Sequence, residues 1–73
     1  MIDRRASPLA AEVGQIIEQG LDAGWSLRIG VNDGVAHVGA VRGMDDYAVD
    51  VEGEDSMENL RLALATLARR IKL

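Results

Sequence analysis

WSLRIGVNDGVAHVGAVR, residues 25–42, alternates on either side of Asn32-Asp33-Gly34, and that alternation decides the fold. Trp25, Leu27, Ile29 and Val31 fall on one side of an extended chain, with Ser26, Arg28 and Gly30 on the other. A period of two is the mark of a half-buried strand. Asn, Asp and Gly tolerate the positive φ that tight β-connections require, so the chain is predicted to turn back at 32–34. The return run VAHVGAVR is apolar on both sides, with Val35, His37, Gly39 and Val41 on one and Ala36, Val38 and Ala40 on the other. Apolarity on both sides suits a central strand.

Downstream, Gly43-Met44-Asp45-Asp46 turns the chain again. Tyr47, Val49 and Val51 then alternate with Ala48, Asp50 and Glu52 in a third strand, and Gly53-Glu54-Asp55 leads out of it. The closing stretch SMENLRLALATLARRIKL, residues 56–73, changes period. Met57, Leu60, Leu64, Leu67 and Ile71 recur at spacings of three and four and stack into one helical stripe, widened by Ala63 and Ala68. Ser56 suits the first turn as a cap, and Asp55 with Glu58 three residues on fits a capping box. Arg69, Arg70 and Lys72 put positive charge at the negative end of the helix dipole.

Upstream, Ser7 and Pro8 announce an earlier helix, roughly 8–22, because a Ser cap followed by Pro at the first helical position suits a helix start. Its apolar face is Leu9, Val13, Ile16, Ile17 and Leu21, and Gly24 is the natural stop. Gly14 and Gly20 each cost up to about 1 kcal/mol in a helix interior, so this helix depends on its tertiary contacts. MIDRRA, residues 1–6, is polar and aperiodic and reads as a flexible lead-in. The sequence therefore predicts a single α+β domain over 7–73. Its order is α-β-β-β-α, a three-stranded antiparallel sheet with two helices packed on one face.

Seventy-three residues hold one core, and a core of this size rarely supplies more than about 3–5 kcal/mol. With no cysteine, disulfides and thiolate metal sites are excluded, which leaves a second subunit as the expected staple and makes a homodimer the expected state. Leu62 lies off the apolar stripe of the last helix. With Leu73, and Val38 or Ala40 from the second face of the central strand, it is the candidate self-association patch. No signal peptide or membrane-spanning run is present, so a soluble cytoplasmic protein is expected. A net charge of −4 argues against general affinity for nucleic acid or anionic membrane.

Little in the chain suggests catalysis. His37 is the only histidine, and a catalytic or metal site built on it needs companions that the sequence does not supply. The serines lack a nucleophile setting, and the glycines form no phosphate loop. No enzyme, no catalytic residue, no metal and no cofactor are expected. The unusual feature is an acidic run: Asp45, Asp46, Asp50, Glu52, Glu54, Asp55 and Glu58 lie between Arg42 and Arg61 with no basic residue among them. Three explanations compete for it. It protects an edge strand and caps a helix; it binds a basic protein surface, nucleic-acid mimicry included; or it binds calcium, for which the D-x-[DN]-x-[DN]-G order is missing.

The α-β-β-β-α order, with Ser7-Pro8-Leu9 opening the first helix, Gly34-Val35-Ala36-His37 at the second strand and an alanine-rich closing helix, resembles the double-stranded RNA-binding domain. The resemblance implies that fold over nearly the whole chain. It does not imply the RNA contact, because the family's lysine cluster at the start of the closing helix is replaced here by Asp55-Ser56-Met57-Glu58-Asn59, which repels phosphate. Residues 53–68 also resemble the last strand-to-helix segment of HicB-type antitoxins. The leading expectation is a small regulator or inhibitor, of the kind phages and mobile elements often encode, that docks its acidic edge on a basic protein surface. Its rival is a nucleic-acid-binding module using Arg28, Arg42 and the Arg69/Arg70/Lys72 end.

Overall fold

The computed structural model describes residues 8–73. Within them the chain forms helix α1 (Pro8–Asp22), strands β1 (Ser26–Asn32), β2 (Val35–Arg42) and β3 (Asp45–Glu52), and helix α2 (Ser56–Arg70). The lead-in at 1–6 and the Ser7 cap lie outside the described residues. The strands form one antiparallel sheet in the order β1-β2-β3, so the strand that is apolar on both sides is the central one. Both hairpins close with two-residue turns. Asp33 (φ 53°) and Gly34 (φ 76°) both sit at positive φ, as a type I′ turn requires, and Gly43 (φ 63°) opens the second turn ahead of a fully exposed Met44.

The registers Ile29↔Val38 and Val38↔Val49 place Leu27, Ile29, Val31, Ala36, Val38, Ala40, Tyr47, Val49 and Val51 on one face. Helix α2 lies across that face over β2 and β3, while α1 packs chiefly on α2 and more lightly on β1. Leu64 and Leu67 are the largest side chains wholly buried between these layers, with Ala63, Val13, Val38 and Val49 around them. At the end of the sheet where β1 begins, Trp25 is buried just ahead of the strand. Tyr47 meets its ring edge-on at 5.9 Å, and the Arg42 guanidinium lies over its face at 4.3 Å while donating to the Ala23 carbonyl at 2.8 Å.

Three expectations are corrected here. Val38 is only 3% exposed and Ala40 is wholly buried, because both face the helices, so neither can belong to a self-association patch. Leu21 is 55% exposed: at that level of α1 the helix touches the sheet through Gly20, where an added Cβ would lie 3.2 Å from a Leu27 methyl, and Leu21 is turned aside. Ile71 is buried as expected but caps α2 rather than extending it, its N–H bonded to the Leu67 carbonyl.

After Ile71 the chain closes α2 with Lys72 at φ 62° and the Leu73 N–H on the Ala68 carbonyl at 2.9 Å, the arrangement of a Schellman motif. A lysine is held where glycine is favoured, at a steric cost of about 1 kcal/mol. Lys72→Gly is therefore expected to raise stability by up to about 1 kcal/mol, read as a higher urea midpoint at unchanged slope.

Candidate functional site

The acidic run divides into carboxylates that the fold has engaged and carboxylates that it has not. Asp46, Asp50 and Glu52 turn onto the outer face of the sheet, opposite the helices, where β1 and β2 present Arg28 and His37. Arg28 reaches across Gly39 to within 3.8 Å of Asp46; a Cβ on Gly39 would meet the Tyr47 carbonyl oxygen at 3.3 Å and the Arg28 Nε at an ordinary contact distance of 3.7 Å. His37 and Asp50 face each other in register at 3.0 Å. An ionised carboxylate only accepts, so the His37 Nδ1 carries the proton in this bond.

Asp55 caps α2, its carboxylate accepting from the Met57 and Glu58 N–H groups at 3.0 and 3.1 Å. The Glu58 side chain is held by Arg61 through a two-pronged contact, Nε to Oε1 at 3.0 Å with Nη2 on Oε2. These bonds hold the Glu58 carboxyl below its ordinary range. Arg61 also lies 3.4 Å from Glu12, joining the two helices. Because the cap satisfies two orphan amides, Asp55→Ala is expected to cost about 1 kcal/mol, checked by urea denaturation.

Asp45, Glu52 and Glu54 remain exposed, with no ion pair or side-chain hydrogen bond among the described residues. Asp45 opens β3 and Glu52 closes it, so at about 3.3 Å per residue they stand roughly 23 Å apart. The predicted single negative edge is thus two separate places, and the denser one is the corner between β3 and α2, with Glu52, Glu54 and Asp55.

A residue that the sequence reading passed over builds that corner. Asn59 is 4% exposed, and its Nδ2 donates to the carbonyls of both Gly34 and Gly53 at 3.0 Å. Gly53 in turn donates its N–H to the Gly34 carbonyl at 3.1 Å. The β1–β2 turn and the β3–α2 connection are thereby tied to one side chain. The signal was available, since Asn59 lies on the buried face four residues before Ala63 and beside Leu60.

Elsewhere, Leu62 and Leu73 are each part-exposed on or just after α2, and Arg69, Arg70 and Lys72 are exposed at its end. The His37–Asp50 pair lies on the open outer face. Among the described residues there is no cavity and no group of three or more His, Cys, Asp or Glu side chains that could hold a metal ion. No described helix is long and apolar enough to cross a membrane. No protein-family model matches the chain, and no curated protein or solved structure matches it.

Proposed function

We propose that this chain is a small non-catalytic interaction protein, a regulator or inhibitor that docks the corner between β3 and α2 on a basic protein surface. The observation that carries this reading is that Glu52 and Glu54 are exposed carboxylates without a basic partner among the described residues, held on a connection fixed by Asn59. Fixed, unneutralised charge at a rigid corner favours fast, salt-sensitive encounter with a surface of opposite sign. The test is affinity capture from a cell extract with the native chain and with the Glu52→Lys/Glu54→Lys variant. Proteins with basic surfaces, released by moderate salt and lost by the variant, are expected. Capture of the same set by both chains would end the proposal.

A second reading rests on Arg69, Arg70 and Lys72, which stand exposed together at the end of α2. Through them the chain would bind duplex RNA or DNA, with a steep loss of affinity as salt rises. Retention on duplex nucleic acid that disappears in an Arg69→Ala/Arg70→Ala variant favours this reading over the acidic corner.

A further inference from the structure

The two edges of the sheet are unlike. The free edge of β3 carries Asp45, Asp46, Asp50 and Glu52, and such an edge repels a second strand. The free edge of β1, SLRIGVN, has one charge, Arg28, which is already turned inward to Asp46, and it has neither lysine nor proline. On its helix-facing side Ile29 is 42% and Val31 44% exposed, because α1 meets β1 near the Leu27 end and leaves the rest uncovered.

The backbone of this edge is also specified. Across a type I′ turn, Asn32 and Val35 exchange both hydrogen bonds, so by alternation Ser26, Arg28, Gly30 and Asn32 direct their N–H and C=O groups to β2. Leu27, Ile29 and Val31 direct theirs outward.

We propose that β1 pairs antiparallel with β1 of a second copy, giving a two-fold dimer with one continuous six-stranded sheet. Placing Ile29 opposite itself sets Leu27 opposite Val31 of the other copy, and every outward amide in the three pairs is then satisfied. The same register suits the side chains. On the helix side Leu27, Ile29 and Val31 meet their counterparts, and Val31 of one copy comes to the level of α1 where the exposed Leu21 of the other projects. On the outer face each Arg28 lies opposite Gly30, around which no atom approaches within 4 Å of a would-be Cβ. Charge selects this occupant. A second copy brings no carboxylate or lysine to the edge and its Arg28 comes already paired, whereas the β3 edge meets its own image with like charge. This surface lies at the opposite edge from the acidic corner and is independent of it.

Sedimentation equilibrium up to millimolar concentration, with Val31→Lys and Glu52→Lys variants, tests the pairing. The native chain and Glu52→Lys are expected at twice the 7.8 kDa chain mass, and Val31→Lys at the single-chain mass with unchanged far-UV circular dichroism. Amide exchange supplies a readout that needs no substitution: the Leu27, Ile29 and Val31 amides should gain protection as the native chain is concentrated. A native chain that stays at the single-chain mass throughout, a Val31→Lys variant that still dimerises, or outward amides whose exchange ignores concentration would each overturn the proposal.

Discussion

Leu64→Ala is expected to leave the chain without a cooperative unfolding transition. Leu64 has no exposed surface and sits where α2 meets the sheet, with neighbours on β2 and β3 that cannot collapse into the gap without breaking strand register. Truncating such a leucine costs about 2–5 kcal/mol through lost transfer energy and the cavity left behind. A domain of this length commands only about 3–5 kcal/mol in all. The same chemical change at Leu62, on the exposed side of the same helix, is expected to cost no more than about 0.5 kcal/mol. Far-UV circular dichroism through a urea titration reads both, in dilute solution so that association does not lend stability. A Leu64→Ala midpoint within error of the native one would contradict this account of the core.

The pairing of His37 with Asp50 marks the point at which the sequence stopped being sufficient. Periodicity places both residues on the outer face, because faces depend only on parity. Which carboxylate meets the histidine depends on the turn. Read as a four-residue loop at 43–46, the second hairpin pairs Arg42 with Tyr47 and brings Glu52 to His37; with two residues in the turn, Arg42 pairs with Asp45 and Asp50 arrives instead. Gly43 at positive φ in the first turn position is what shortens the loop, and a lone glycine followed by methionine is a weaker sign than Asp-Gly. Element order, the central strand and the core of α2 were legible because each rests on a repeated signal. Val38 was misassigned because β2 alone is apolar on both sides; the cue lay across the turn, where Asn32 opposite Val35 sets Val38 opposite Ile29 on the apolar face of β1. The acidic run read as continuous because sequence adjacency does not reveal that β3 carries Asp45 and Glu52 to opposite ends of the sheet.

Asn59→Leu is expected to be the most costly surface-neutral change outside the apolar core. Leucine matches asparagine in size, so the site stays filled, yet the Gly34 and Gly53 carbonyls both lose the Nδ2 donor. The Gly34 carbonyl keeps the Gly53 N–H, so the part-buried Gly53 carbonyl is the acceptor left unpaired, at a cost of about 1 kcal/mol. Gly53→Ala attacks the same junction from the other side, since its Cβ would stand 2.6 Å from the Asn59 Oδ1, closer than atoms are found. If that clash is the whole of the damage, it disappears when the asparagine side chain is removed. The Gly53→Ala penalty measured in an Asn59→Ala background should then fall well below its value in the native chain, giving a coupling of about 0.5–3 kcal/mol, the range for residues in contact. Additive penalties would mean that Gly53 is required for its backbone alone and that Asn59 does not brace the corner. Coupling ties stability to the proposed docking surface, because loosening the link between the two connections frees Glu52 and Glu54 to move independently. Amide exchange at Gly53, whose N–H is bonded to the Gly34 carbonyl, should then rise in Asn59→Leu before the sheet itself opens.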